Sequence, residues 1–309
     1  MRAASLVLRV VVTVGILALV LRSIDAPRVG AILAHARPGL LAAALALQLA
    51  SSTAAAYRWH LVMGNLRFGQ AASFYVRSFF KGLFFNQALP GVGGDAFRVI
   101  DVARRGFRKR DALYAIFLDR LLGFGALMLL SLGGLLVDPG LLPAAAHRAI
   151  AAIMAAGVAA ASMVFWVGLL PWPRRDTRLV ATLLALSERA RRAVCARRAP
   201  ILAFSLLSPL LAILCFHAAG RALGLPYGPM AYVVVVPPAL VLSALPVSIA
   251  GWGVREGALV GLFALAGADK AAVLTLSLLY GLMVLLASLP GLAIFLGGRQ
   301  NRAKTAPAP

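Results

Sequence analysis

Long apolar runs recur along this chain, and each is long enough to cross a lipid bilayer as a helix. Six of them occupy residues 3–21, 39–57, 113–137, 149–170, 201–223 and 271–296. A spanning helix needs about 20 mostly apolar residues, because a helix rises about 1.5 Å per residue and the hydrocarbon core is about 30 Å thick. Hydrophobic residues make up 61% of the chain and charged residues 13%, so we predict an all-α polytopic membrane protein.

Two stretches interrupt this pattern with glycine and proline. The first reads NQALPGVGGDAFR over residues 86–98, and the second reads ALPVSIAGWGVRE over residues 244–256. Glycine and proline leave backbone N–H and C=O groups without helical partners, and hydrocarbon tolerates such groups only beside a protein cavity or a wet site. We therefore predict two broken or re-entrant segments, about eight membrane elements in all, and a binding site at the breaks.

The two breaks align with one another, which indicates an internal duplication with halves 1–140 and 141–298. The aligned pairs are Pro90 with Pro246, Arg98 with Arg255, Asp111 with Asp269 and Gly123 with Gly281. If each broken segment enters the membrane and returns, each half has three crossings, and the two halves form inverted repeats. The matching stretch is short, so chance convergence of glycine and proline is the alternative.

Basic residues concentrate between the spans and give the chain a net charge of +21. The stretches 98–111, 174–198 and 299–309 hold more than half of them, and the positive-inside rule assigns these stretches to the cytoplasm together with the N-terminus. An alternative topology treats both broken segments as true membrane crossings, with the second segment crossing twice, and places the N-terminus outside. The stretch 174–198 is either an amphipathic helix on the inner leaflet or a solvated basic loop. We expect the tail, 299–309, to be disordered.

Several function classes lack their sequence signals in this chain. The basic residues have no interleaved aromatics, so we expect no nucleic-acid partner. The four histidines and two cysteines lack ligand spacing, so we expect no metal and no disulfide. GVGGD is not set in a strand-turn-helix unit, and no serine nucleophile motif or catalytic carboxylate pair is present. We therefore predict no cofactor and no catalytic residues.

The residues at the breaks are suited to binding a phosphate. Helix N-termini offer free N–H groups and a positive dipole end, and arginine adds a fork of donors. We expect Arg98 and Arg255 to face one phosphodiester from the two halves, while Asp95 and Glu256 hold the arginines or meet an amine. The alternative is that these acids and arginines only neutralise each other. The predicted substrate-binding residues are Arg58, Asn86, Pro90, Gly93, Gly94, Asp95, Arg98, Asp119, Arg120, Ser248, Arg255 and Glu256.

Two of these residues have a second interpretation. Asp119 is either functional or a helix-start anchor that pairs with Arg120 or another cation. Arg58 either reaches the cavity or extends to the membrane surface. We expect its neighbour Trp59 to be an aromatic anchor at the membrane interface.

The motifs resemble those of a known membrane family. Three stretches are similar to the flippase-like transmembrane domain of the lysylphosphatidylglycerol synthase family: FFNQALPGVGGDAFRVIDVARRG, AIFLDRLLGF and ALPVSIAGWGVREGAL. The resemblance covers residues 5–296 and implies a multi-pass protein of the bacterial inner membrane that moves or handles lipids such as aminoacylated phosphatidylglycerol. It points to the motif positions Pro90, Gly93, Gly94, Asp95, Arg98, Arg120, Arg255 and Glu256. Asp119 departs from the pattern, since glutamate is commoner before that arginine.

Full-length synthases of this family add a large soluble C-terminal domain that transfers an amino acid from tRNA to lipid. Only a short tail follows Leu296 here, so we do not expect this chain to make lysyl-lipid by itself. We predict a translocase for a phospholipid, such as aminoacyl-phosphatidylglycerol, or for an isoprenoid lipid, with anionic headgroups as its partners. The alternatives are a membrane subunit of a lipid-modifying, glycosyl-transferring or aminoacyl-transferring system with a separate soluble transferase, and a membrane scaffold without transport.

Overall fold

The structure is a computed structural model that describes residues 26–88, 93–170, 177–244 and 251–304, and every regular element in these ranges is helical. This confirms the predicted all-α class. In chain order the α-helices are α1 (Ala26–Ala34), α2 (Pro38–Asn65), α3 (Ala72–Ala88), α4 (Gly93–Ala103), α5 (Lys109–Val137), α6 (Ala144–Trp166), α7 (Arg178–Cys195), α8 (Arg198–Ala222), α9 (Pro229–Ser243), α10 (Val254–Leu265) and α11 (Lys270–Lys304). A short 3-10 helix, Val167–Leu169, extends α6.

Five of the described helices are long and apolar enough to cross a membrane. They are α2, α5, α6 with its 3-10 extension, α8 and the part of α11 up to Gly297. They correspond to five of the six full spans predicted from the sequence, and the sixth, 3–21, lies outside the described residues. The helix α11 continues to Lys304, because extending a formed helix is far easier than starting one. It therefore includes six residues of the tail for which the sequence predicts disorder.

The helices are discontinuous at both predicted breaks. α3 ends at Ala88 before α4 begins at Gly93, and α9 ends at Ser243 before α10 begins at Val254. Gly251 and Gly253 have φ angles of 78° and 84°, a left-handed conformation that glycine adopts without steric cost. The predicted site residues Pro90 and Ser248, and the aligned Pro246, lie outside the described residues.

Each break separates two helices that run antiparallel to one another. We term these two helix pairs, α3 with α4 and α9 with α10, the first and second hairpins. Within each hairpin, successive residues along the first helix contact residues that come progressively earlier in the second helix or just before it. The contacting pairs are Lys81 with Asp101 and Asn86 with Gly94 in the first hairpin, and Tyr232 with Phe263 and Ser243 with Gly251 in the second. The chain therefore reverses direction at both breaks.

The helices α2 and α8 make the most extensive helix–helix contact among the described elements. The two helices bury mainly small residues, including Ala44 and Ala55 of α2 and Ala212 of α8. Ser51 Oγ donates to the Ser208 carbonyl across this interface at 2.8 Å. Small residues and hydroxyls of this kind allow close helix packing in membranes, where the hydrophobic effect does not drive helices together.

Each hairpin packs on a long helix from the other half of the chain. α3 packs on α11, and α9 packs on α5. Gly291 of α11 lies against the backbone of Phe80 in α3, and Gly134 of α5 lies against Val233 in α9. The hairpins and long helices therefore interlock the two halves at glycine positions.

Residues 178–195 form the amphipathic helix α7, so the helical interpretation of this basic stretch is confirmed. Thr177 Oγ1 accepts the Val180 N–H and caps the helix start. The helix buries Ser187, Ala190 and Ala193 and packs on α2 and α6. The buried face of α7 therefore packs against other helices of the protein.

The glycine contact between α3 and α11 predicts a specific instability. A Cβ at Gly291 would lie 2.0 Å from the Phe80 carbonyl oxygen, so Gly291→Ala must push the two backbones apart. We expect the free energy of unfolding to fall by about 1–3 kcal/mol, measured by thermal or denaturant unfolding in detergent. The matched control is Gly133→Ala in α5, where no atom lies within 4 Å of the added Cβ. Equal effects of the two substitutions would contradict this packing.

Candidate functional site

The first turn of α4 is held directly against α3. A Cβ at Gly94 would lie 1.9 Å from the Gly82 carbonyl oxygen, so only glycine fits there. Asn86 Oδ1 accepts the Gly94 N–H at 2.9 Å and satisfies one of the free donors at the helix start. Gly94 and Asn86 are therefore used to join the two helices, and Gly93 begins α4 beside them.

The Arg98 side chain extends from α4 into a buried aromatic and acidic environment. Its guanidinium lies over the Trp59 ring at 4.0 Å and the Phe79 ring at 4.9 Å. Nη2 donates to Asp119 Oδ2 and Nη1 to Asp95 Oδ1, both at 3.3 Å. The residue is 4% exposed, and its Nε has no hydrogen-bond partner among the described residues.

Asp119 joins a second buried arginine to this environment. Arg58 Nε donates to Asp119 Oδ1 at 2.8 Å, and both side chains are buried. Gly123, one turn after Asp119, makes room for this arginine, because a Cβ there would lie 3.1 Å from both Arg58 Nη atoms. Asp119 lies inside α5, ten residues after Lys109, and is therefore not a helix-start anchor. Arg58 does not extend to the membrane surface.

Arg120 is the most exposed member of the same group of charged residues. Its Nε and Nη2 both lie 2.8 Å from Asp95 Oδ2. The Arg120 side chain is 42% exposed, whereas the Asp95 side chain is 13% exposed. Arg58, Asp95, Arg98, Asp119 and Arg120 thus form one group, which we term the α4 charge cluster. Three arginines and two aspartates give it a net charge of +1.

The second break has a different arrangement around Glu256. Glu256 Oε2 accepts the Gly253 N–H at 2.6 Å, which satisfies a donor at the start of α10. Glu256 Oε1 accepts from Arg255 Nη2 at 2.6 Å and from Ser277 Oγ at 3.0 Å. Arg255 and Glu256 are both buried and neutralise each other.

Aromatic rings and a glycine complete the surroundings of Arg255. The guanidinium lies 4.7 Å from the Trp252 ring centroid and 5.5 Å from that of Tyr280. A Cβ at Gly281 would lie 2.5 Å from Arg255 Nη2. Gly123 and Gly281, which align in the sequence, therefore both pack against a buried arginine.

The structure brings together eight of the predicted site residues at the first break and two at the second. The first set is the α4 charge cluster with Asn86, Gly93 and Gly94, and the second is Arg255 with Glu256. α4 packs on α3 and α5, whereas α10 packs on α9 and α11. The guanidiniums of Arg98 and Arg255 have separate partners.

Sequence reasoning missed the residues that surround the arginines. Trp59 was expected at the membrane interface, which is wrong, because its ring is fully buried under Arg98. Phe79 and Gly82 were not selected either. A signal was available for Gly82, because a lone glycine within an aromatic-rich helix indicates a close approach of another backbone.

The buried position of Asp119 predicts that its charge is structurally required. Asp119→Asn leaves Arg58 and Arg98 short of one negative charge, and we expect a loss of about 3 kcal/mol or more in the free energy of unfolding. Unfolding in detergent measures this loss. Glu188→Gln is the control, because its pair with Arg192 is exposed on α7 and exposed pairs contribute little. A similar result for both variants would contradict the role of Asp119.

Comparison with known proteins identifies the family. The family model described as the lysylphosphatidylglycerol synthase TM region matches residues 6–291, which confirms the resemblance seen in the sequence motifs. No curated protein and no solved structure matches the chain. Together with five apolar helices of membrane-spanning length, the match shows that this multi-pass membrane protein belongs to the lysylphosphatidylglycerol synthase transmembrane-region family.

Proposed function

We propose that the chain is a lipid translocase of the bacterial inner membrane, which binds a lipid phosphate at the α4 charge cluster while the acyl or isoprenoid tail stays in the bilayer. The observation that carries this proposal is the excess positive charge of the cluster at a helix break, with one arginine accessible from outside. An anionic group is the ligand that such a site favours.

Arg120 and Asp95 form the part of the cluster that a lipid would rearrange. Arg120 is the exposed member of this ion pair, and Asp95 keeps its bond to Arg98 when Arg120 leaves, so neither charge is left buried without a partner. A phosphate oxygen can therefore replace Asp95 as the partner of Arg120 at little cost. Arg58 and Arg98 stay fixed by Asp119 and supply the positive field behind the phosphate.

The same exchange gives a role to Asp95. Once Arg120 turns to the phosphate, Asp95 keeps a bond to Arg98 and gains a free carboxylate oxygen, Oδ2. An ammonium group on the headgroup, as in aminoacyl-phosphatidylglycerol, is the natural partner for that oxygen. A lipid that combines a phosphate with an amine therefore fits the cluster better than a simple anion.

We also propose that the halves 1–140 and 141–298 are inverted repeats and that both hairpins are re-entrant. In order along the chain, α2, α3, α4 and α5 of the first half correspond to α8, α9, α10 and α11 of the second. When each of these helices is replaced by its counterpart, every contact between two of them becomes a contact that the structure also contains. Both hairpins reverse direction at the break, which returns the chain to the side it came from. Each half then has an odd number of crossings, and this arrangement is common among transporters.

A second candidate function is a membrane subunit of a lipid-modifying or glycosyl- or aminoacyl-transferring system. The observation that favours it is the row of exposed cations on α7 and before α5, which includes Arg192, Arg104 and Arg108. Such a surface suits an acidic soluble transferase. Loss of a modified lipid on deletion, rather than its retention in one leaflet, would favour this function over translocation.

Cysteine labelling in whole cells tests the re-entrant topology. In a background with Cys195 and Cys215 replaced by serine, we expect Gly69→Cys and Arg104→Cys to label from the cytoplasmic side. We expect Gly140→Cys to label from the opposite side, because α5 crosses between positions 104 and 140. If the first hairpin crossed the membrane, Gly69→Cys would label together with Gly140→Cys, and the inverted-repeat proposal would fail.

Arg120 provides the direct test of translocation. In vesicles that contain the purified protein and a fluorescent phosphatidylglycerol analogue, we expect Arg120→Gln to slow lipid exchange between leaflets at least tenfold, measured by dithionite quenching. Arg98→Gln is less informative, because it also removes a partner of the buried Asp119. Arg110→Gln is the control, since this exposed arginine lies on the same helix and bonds Tyr114. A wild-type rate of lipid exchange in the Arg120→Gln variant would contradict the proposed site.

A further inference from the structure

A basic pocket lies where the end of α2, the start of α5 and the helix α7 meet. Its volume is about 270 Å³, close to the small end of the range for ligand sites. It has room for a phosphate with a short polar body. The lining residues are Asn65, Leu66, Arg67, Phe68, Phe107, Arg108, Asp111, Tyr114, Arg189 and Arg192.

Arg67 occupies a backbone position that normally favours glycine. The Phe68 N–H donates to the Met63 carbonyl, and the Arg67 N–H donates to the Gly64 carbonyl, which is the hydrogen-bond pattern of a Schellman motif at the end of α2. In this motif the residue at position 67 is left-handed, and Arg67 has a φ of 65°. A non-glycine residue in this conformation costs about 1 kcal/mol or more. Strained positions of this kind are concentrated at ligand sites.

The charges of the pocket are only partly compensated. Arg189 pairs with Asp111 at 2.6 Å, and Arg192 pairs with Glu188. Arg67 and Arg108 have no ion pair with any carboxylate in the described part of the chain. Two arginines are therefore free to bind an anion from the solvent.

The start of α5 lies at the same pocket, which Arg108 and Asp111 line. Arg108 is the N-cap residue and makes no side-chain cap bond. The Asp111 N–H donates to the Arg108 carbonyl, so the contribution of this helix end to the pocket is the positive end of its dipole. A helix N-terminus attracts anions through this dipole. The paired Asp111 partly offsets this effect, and its bond to Arg189 directs its charge toward α7.

The walls of the pocket are fixed by contacts between the elements. Asn65 Nδ2 donates to the Ala193 carbonyl at 2.8 Å and ties α2 to α7. The Phe68 and Phe107 rings pack with their centroids 4.8 Å apart, and the Arg189 guanidinium lies over Tyr114 at 4.7 Å. The pocket is thus preformed, and ligand binding does not have to order it.

We propose that this pocket is a binding site for a phosphate group on a glycerol-sized body, with the side chains of Arg67 and Arg108 as its donors. The site is separate from the α4 charge cluster, because Asp111 and Asp119 are eight residues apart on α5, or about 12 Å along the helix. It does not depend on translocation. A soluble phosphate ester and the headgroup of an anionic lipid share this chemistry.

The conformation of Arg67 allows binding to be separated from folding. Arg67→Gly removes the charge and also relieves the strained backbone, so we expect the melting temperature to stay equal to the wild type or to rise. We expect the Kd for the phosphate ligand to rise at least tenfold. Arg108→Gln should weaken binding similarly, and Arg148→Gln, an exposed substitution at the start of α6, should leave the Kd unchanged.

Two arms of the experiment distinguish the ligand sources, both with the full chain. In detergent without anionic lipid, calorimetric titration with sn-glycerol 3-phosphate measures the soluble ligand. In nanodiscs of phosphatidylcholine with or without phosphatidylglycerol, native mass spectrometry measures lipid retained by the protein. Binding lost on Arg67→Gly and Arg108→Gln in either arm supports the site and identifies the source. No binding to the wild type in either arm, or equal binding by all four proteins, overturns it.

Discussion

The buried carboxylate of Asp119 is the constraint on which the first half of this protein depends. Two guanidiniums, from Arg58 on α2 and Arg98 on α4, are buried with it. A buried charge without a partner destabilises a protein by several kcal/mol, so each of the three groups requires the others. The rings of Trp59 and Phe79 around Arg98 exclude water and raise the penalty for separating the charges. Three helices are thereby fixed around the point where the chain is broken.

Local features of the sequence predicted the helices and their breaks but not the partners of the charged residues. Apolar runs predicted five of the described spans, because hydrocarbon requires each span to satisfy its own backbone. Of the cations suggested as partners of Asp119, Arg120 is not one, because its guanidinium bonds Asp95 instead. The actual partners of Asp119, Arg98 and Arg58, are 21 and 61 residues away. Such pairing depends on how helices pack, which one sequence without structure does not specify.

The two breaks align in sequence but differ in charge. In the second half Glu256 directly follows Arg255, and each satisfies the other in a buried neutral pair. In the first half Asp95 bonds both Arg98 and the exposed Arg120, and the group retains a positive charge. The two breaks therefore differ in their electrostatics: the charges at the second neutralise each other in a buried pair, whereas those at the first include an exposed arginine and keep a net positive charge. Alignment of Arg98 with Arg255 indicated equivalent positions and gave no information on this difference.

The direct backbone contact between Gly82 and Gly94 also limits how the molecule is able to move. The backbones of α3 and α4 meet directly at this point, and the Asn86 side chain adds a hydrogen bond across the contact, so the two helices form one rigid unit. If a lipid binds at the α4 charge cluster as proposed, α3 and α4 are expected to move together, because the two helices do not separate at this contact.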